Sequence, residues 1–427
     1  MAEMLDKDRS KIGLQITIYC IAATIYLGLW LLMSSTDDAY LQIDSYDYLA
    51  LGQSIFNDFN FPSSFRTPVF PFFVGFWEAW LGMDVQYYIL VQIVLALTNI
   101  YLLGRLSRYF VSLQVQLIIM LIFALDLVTA QIANYVLAET LFSFLLLLAL
   151  NVLVAASKNP QSAIRYGVIC GVVLGLYALC RPVGQFIPIV LAVWYFLSKR
   201  KDGGIRKQIL TISMVIVCTL LSVHAWKLHN YVTKGQYFTS VTTSYNIYNY
   251  RAAWNVAYRD GRTFQDVKDE FHAVRTTFKR NNPQATEHDI GQHFTKEGLN
   301  IILATPKETF FQAVRGLVFL YGGIYNGSLD RIFDNKFAKK IAQIYSLLYN
   351  FAVYAGILLC VLFIRRLGEQ ERSFVVLSAL IVAYFTFFSI GVESYARLRG
   401  PFIPYLVVIA AIGWMQAFQI KVKRNLP

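Results

Sequence analysis

Long apolar runs, recurring along almost the whole chain between short polar loops, constrain this sequence more than any other feature. An α-helix needs about 20 mostly apolar residues to cross the hydrocarbon core of a bilayer. About ten runs approach that length, near 12–33, 86–104, 111–129, 136–156, 166–180, 183–198, 208–226, 341–364, 373–391 and 401–420. Composition agrees, with 56% apolar and 15% charged residues and a mean hydropathy of +0.48. A soluble domain carries roughly a quarter charged residues. The expected fold class is therefore an all-α polytopic membrane protein.

The formal charge of +12 does not point to nucleic acid, because the basic residues sit in short clusters between apolar runs. Such clustering marks cytoplasmic loops. Lys7, Arg9 and Lys11 before the first run place the N-terminus inside. Alternation then puts Arg105 and Arg108, Lys158 and Arg165, the 199–207 cluster, Arg365 and Arg366, and the C-terminus on the same side. The run 309–325 is short and contains Arg315, so its length favours a juxtamembrane or re-entrant helix. A crossing there would invert every later loop. The first run is too long for a signal-peptide core and has no small-residue cleavage pattern, which makes it a retained anchor. The expected location is the cell inner membrane, with both termini cytoplasmic.

Three parts follow: an N-terminal transmembrane module 1–226, an extracytoplasmic helical loop 227–340, and C-terminal transmembrane helices 341–427. The first outer loop, 34–85, holds two candidate interfacial helices. Tyr48, Leu51 and Ile55 share one face between Asp44 and Phe56, and Pro68 opens a second helix to Trp80. In the larger loop, Phe264, Val267, Phe271, Val274 and Phe278 repeat at helical spacing. Thr263–Asp266, Thr286–Asp289 and Thr305-Pro306-Lys307-Glu308 read as helix starts, the last being the best formed.

Ionisable residues concentrate on the expected outer face. Asp37, Asp38, Asp44 and Asp47 crowd the first loop, more acids than capping one helix requires, although capping alone explains part of them. Arg66, in Arg66-Thr67-Pro68-Val69-Phe70-Pro71, is either a snorkelling anchor or a fork for a lipid phosphate. Asp126 and Glu139 flank a short outer turn, and Arg181-Pro182 forms another. Arg397 and Arg399 stand before the last run, on a face that positive-inside sorting depletes. The five cysteines have no metal-ligand spacing, and the five histidines form no ligand set. No cofactor is required. Asp37, Asp38 and Glu139 offer oxygens to a divalent cation, but no spacing indicates a metal site.

Together these motifs resemble membrane glycosyltransferases of the GT-C fold, in the branch of protein O-mannosyltransferases and the lipid A aminoarabinose transferase. Asp44-Ser45-Tyr46-Asp47-Tyr48-Leu49-Ala50 resembles that family's first-loop pattern. Arg66 to Pro71 resembles its arginine-proline-x-x-proline turn. Ala138-Glu139-Thr140-Leu141-Phe142 is similar to the acidic start of the fourth span, and Gly175-Leu176-Tyr177-Ala178-Leu179-Cys180-Arg181-Pro182 to the end of the fifth. Arg397-Leu398-Arg399-Gly400-Pro401-Phe402-Ile403-Pro404 is similar to the arginine-rich mouth of the last.

The resemblance implies a polyprenyl-phosphate sugar donor, an extracytoplasmic acceptor, membrane lipids as surroundings, and transfer with inversion. It makes Asp44 the general base, with Tyr48 and Glu139 orienting it or the acceptor. Arg66, Arg181, Arg397 and Arg399 become ligands of the donor phosphate, and Asp37 and Asp38 join the substrate-facing set. Ser45 departs from the pattern, which often has glutamate there, so Asp47 or the Asp37–Asp38 pair remain rivals for the base. A polymerase or ligase using a diphosphate-linked donor is an alternative. A secondary transporter is another, opposed by the one-sided ionisable groups and the absence of internal repeats.

Overall fold

The computed structural model describes residues 2–34, 39–158, 160–197, 204–333, 335–392 and 395–424. Among them the regular elements are helices. Among the described residues eight helices are long and apolar enough to cross a membrane, and a bent pair and one shorter apolar helix account for the remaining runs. The chain is a multi-pass membrane protein.

The N-terminal helices are α1 (Ala2–Met33), α2 (Ile43–Asn57), α3 (Val69–Gly75), α4 (Val85–Ser107), α5 (Leu113–Ala124), α6 (Leu127–Ala133), α7 (Glu139–Lys158), α8 (Ala163–Cys180), α9 (Ile187–Leu197) and α10 (Gly204–Lys234). The two expected interfacial helices are present as α2 and α3, the latter ending in a π-helical turn, Phe76–Trp80. The run expected at 111–129 is broken: α5 and α6 meet at 59°. Asp126 causes the break, since its carboxylate accepts the Thr129 amide at 2.7 Å and restarts the helix. The next run starts three residues late, at Glu139, because Val136 is engaged elsewhere: its amide donates to the Tyr40 carbonyl. Helix α10 continues past 226, where Trp226 and Asn230 donate to the Thr239 and Phe238 carbonyls and tie it to the following chain.

The loop beyond α10 builds α11 (Thr242–Ser244), a π-helical turn (Tyr245–Ala252), α12 (Ala253–Asp260), α13 (Phe264–Asn281), α14 (Glu287–Ala304), α15 (Pro306–Gly322) and α16 (Asn326–Ile332). It has its own small core of Tyr248, Ala253, Ala257, Val267, Phe271, Ile290 and Phe294. Val274, expected on that face, is instead exposed. Thr263 and Thr286 cap α13 and α14 as expected. Thr305 does not cap α15: its hydroxyl donates to the Ile301 carbonyl and accepts from Asn255. Helix α15 is not among the span-like helices, and Phe310 and Val318 project from it into the surroundings.

The chain closes with α17 (Lys336–Leu362), α18 (Glu369–Ser389) and α19 (Ile403–Arg424), the last preceded by a 3-10 segment, Ala396–Phe402. Helix α7 and the last span are the inner ones, 78% and 72% buried, whereas α1, α10, α17 and α18 are 28–33% buried and face outward. The starts of α7 and of the last span meet at one end of the bundle, where the first loop folds over them.

Candidate active site

Asp44 lies in the first turn of α2, and Ser45 explains its fixed position. The fully buried Ser45 hydroxyl accepts the Gln42 amide at 2.9 Å and donates to the Val136 carbonyl at 2.9 Å. One side chain thus closes the start of α2 and ties it to the segment entering α7. Arg66 comes from a turn in which the Phe65 and Arg66 amides both donate to Ser63 Oγ. That turn is held from outside: the Ser240 and Thr242 hydroxyls each donate to the Phe65 carbonyl at 2.6 Å. Thr67 in turn donates to the Cys180 carbonyl at 3.3 Å, next to Arg181.

These ties bring acids and arginines from five places in the sequence into one network. Arg66 Nη2 donates to Asp44 Oδ1 at 2.8 Å and to Asp47 Oδ2 at 2.9 Å. Arg397 Nη2 donates to the other oxygen of Asp44, Oδ2, at 2.7 Å, and its Nε donates to Glu139 Oε1 at 2.7 Å. Arg181 Nη1 also reaches Glu139 Oε1 at 2.7 Å. The Glu139 side chain is 1% exposed, that of Arg397 8% and that of Asp44 30%. So Glu139 forms the buried floor, and Asp44 the accessible top. Arg66 also donates to the Tyr48 hydroxyl at 3.3 Å and lies 4.8 Å over its ring, which packs edge-on against Phe70.

Electrostatics follow from this arrangement. Burial pushes the Asp44 carboxyl up, but the Arg397 and Arg66 guanidiniums beside it push it further down, well below the usual carboxylate range. Burial raises the Tyr48 hydroxyl, which stays protonated. Glu139 is what makes two closely placed arginines tolerable, because a buried cation without a partner is costly. Three carboxylates (Asp44, Asp47, Glu139) balance three guanidiniums (Arg66, Arg181, Arg397).

Of the residues expected at the site, Asp44, Asp47, Tyr48, Arg66, Glu139, Arg181 and Arg397 come together. Arg399 does not join them. It is 2% exposed and donates to the Tyr321 carbonyl at 2.7 Å and the Tyr354 hydroxyl at 3.0 Å, bracing the end of α15. Asp37 and Asp38 lie outside the described residues. Among the described residues no three His, Cys, Asp or Glu side chains gather as a metal-ligand set. Asp44 and Glu139 both turn oxygens toward guanidiniums, a donor set that suits an anion among arginines better than a divalent cation. Sequence reasoning singles out neither Ser240 nor Thr242, since hydroxyls that hold a distant turn carry no spacing signal.

No family model matches the sequence, and no curated protein matches it. Solved structures do match. The archaeal oligosaccharyltransferase AglB from Archaeoglobus fulgidus, in complex with an inhibitory peptide and a dolichol-phosphate, superposes with a TM-score of 0.56 at 14% identity, over 97% of this chain and 51% of that one. The chain has the GT-C fold. The apo form of the A. fulgidus enzyme matches with a TM-score of 0.55 at 15% identity, over 95% of this chain and 50% of that one. The form tethered to an acceptor peptide containing the NVT sequon gives 0.52 at 14%, over 96% and 50%. The chain therefore spans about half the length of these GT-C structures.

Proposed function

We propose that this protein is a membrane glycosyltransferase that moves a sugar from a polyprenyl-phosphate donor to an extracytoplasmic acceptor, inverting the anomeric carbon. The observation that carries this reading is Asp44, a half-accessible carboxylate fixed between Arg66 and Arg397 at one end of a GT-C bundle. The fold neighbour solved with a dolichol-phosphate supports a lipid-linked donor. The narrower O-mannosyltransferase and aminoarabinose-transferase branch rests on the sequence motifs alone. The location in the inner membrane and the cytoplasmic termini rest on loop charges.

In this reading Asp44 removes the proton of an acceptor hydroxyl as its oxygen attacks the anomeric carbon. The carbon–oxygen bond to phosphate breaks, and its electron pair leaves with the polyprenyl phosphate. The leaving group is already an anion of low basicity, so no general acid is required, unlike glycoside hydrolysis. A positioned base contributes on the order of 10²–10⁴ in rate. Arginines near the departing phosphate stabilise charge where it develops, while Tyr48 and Glu139 hold Arg66 and Arg397 in register. Acceptor choice falls to the 227–340 loop, whose residues 240 and 242 support the Arg66 turn, or to the first loop.

The deciding experiment is transfer from labelled polyprenyl-phosphate sugars in membranes containing wild type or Asp44→Asn at equal abundance. The expected result is a loss of about 10²-fold or more with donor binding retained. Undiminished transfer by Asp44→Asn would remove Asp44 as base and promote Asp47 or the Asp37–Asp38 pair.

A further inference from the structure

Beside the network lies a cavity of about 170 Å³, lined among others by Arg181, Arg251, Phe142, Phe385, Phe388 and Leu398. Arg251 is the unexplained member. It sits at the end of the π-helical turn Tyr245–Ala252, a distortion common at functional sites. Gln312 donates to its backbone carbonyl at 3.0 Å and fixes the turn. Its guanidinium donates to the Phe388 carbonyl at 3.3 Å, and among the described residues no carboxylate pairs with it. The three acids of the neighbouring network are already matched by three arginines, so among the described residues Arg251 has no carboxylate to balance it. Burial pushes its guanidinium down from the ordinary arginine range. Gly391 makes room for it, since a Cβ there would lie 3.1 Å from Arg251 Nε.

The walls are layered. Phe385 and Phe388 belong to the last turns of α18, within the membrane span, and Phe142 to the first turn of α7. These rings are fixed by stacking: Phe142 on Tyr177 at 3.9 Å, Phe385 on Phe402 at 6.0 Å, and Phe388 on Phe186 at 6.3 Å. The arginines stand at the loop side. Cations above an apolar wall at the end of a membrane span match a phosphate whose substituent is a hydrocarbon chain, and not a free anion.

We propose that Arg251, with Arg181, seats the phosphate of the polyprenyl-phosphate donor, and that Phe385 and Phe388 contact its first isoprene unit. The assignment rests on the transferase reading and adds to it a phosphate seat beside the Asp44 clamp. Arg66 and Arg397 are occupied by Asp44, whereas Arg181 spends one nitrogen on Glu139 and faces the cavity as well. A phosphate there lies against Arg181, which also holds Glu139 of the Asp44 network.

The test measures binding of polyprenyl monophosphate, the polyprenol of equal length and inorganic phosphate to purified wild type, Arg251→Ala, Arg251→Lys and Asp44→Asn in nanodiscs. Thermal unfolding of each variant checks that it is folded. The expected result is that Asp44→Asn binds polyprenyl monophosphate at least as tightly as wild type, since a neighbouring negative charge is gone, that Arg251→Ala binds it about ten- to a hundredfold more weakly than wild type, and that Arg251→Lys recovers part of the loss. Polyprenol should bind weakly and equally to all four proteins. Equal affinity of wild type and Arg251→Ala for polyprenyl monophosphate overturns the seat and leaves the transferase reading standing. Polyprenol binding as tightly as its phosphate, or inorganic phosphate binding with the same Arg251 dependence and affinity, also overturns it. Absence of saturable polyprenyl monophosphate binding to wild type overturns both readings.

Discussion

Asp44 raises an acid–base problem at the scale of a single residue. Two guanidiniums keep it ionised, yet the same interaction makes it a weak proton acceptor. A base of this kind gains strength when an anion arrives nearby, because added negative charge offsets the arginines. The binding of a donor phosphate thus raises the basicity of Asp44 at the moment it is needed. The sign of the pH effect on folding follows from the same shift. The native pKa is lowered, so the ionised Asp44 contributes stability that is complete above the unfolded value of about 3.9 and is lost as pH falls through the native value. Thermal unfolding of wild type and Asp44→Asn should therefore differ by a constant amount from about pH 5 to 8, with the difference shrinking below about pH 4. A difference that changes between about pH 6 and 7 would mean that Asp44 titrates there and is not clamped. The acids and arginines themselves were legible as types and positions, because charge next to apolar runs stands out. Their pairing was not: Arg397 and Arg399 are two residues apart and look alike in sequence, but only Arg397 reaches the carboxylates.

Among elements, the crossing of α2 and α3 sets the distance between the base and the turn that carries Arg66. The two helices touch through glycine. A Cβ on Gly75 would fall 2.6 Å from the Gly52 carbonyl oxygen, and one on Gly52 would fall 2.8 Å from the Gly75 Cα. Backbone stands on both sides, so no side chain can yield. Gly75→Ala should cost about 1–3 kcal/mol through overpacking and separate Asp44 from Arg66. The expected readout is a lowered Tm, together with a loss of transfer larger than the loss of folded protein explains. Unchanged transfer at an unchanged Tm would show that the crossing does not set the site. Elements with a local cause were readable from sequence. The capping threonines of α13 and α14 and the proline before α3 are examples. Elements shaped by distant partners were not. Asp126 broke a run that hydropathy alone joins, Val136 delayed α7 through a bond to Tyr40, and Thr305 gave up its cap for Asn255.

At the scale of the molecule, the network joins the loop after α1, the start of α7, the end of α8 and the mouth of the last span. Elements so far apart in sequence meet only if the spans alternate as the loop charges require. Residues 309–325 are the one place where that alternation is open to test. The helix there, α15, has 17 residues and carries Arg315, and its exposed face includes Phe310, Val314 and Val318. Those features fit a helix lying along the membrane surface, with its apolar side in the headgroup region. Single cysteines placed in a cysteine-free background distinguish the alternatives. With α15 on the surface, Asp58→Cys and Arg262→Cys, both at exposed positions, should react with a membrane-impermeant maleimide in intact cells. Arg108→Cys and Arg366→Cys, also at exposed positions, should react only after permeabilisation. Labelling of Arg366→Cys in intact cells would mean that α15 crosses, which would invert α17 and the spans after it. The mouth of the last span, which carries Arg397, would then face the cytoplasm while α2 and Asp44 face outward. Since Arg397 and Asp44 are 2.7 Å apart, that outcome would break the site as well as the topology, so the labelling of one residue tests both.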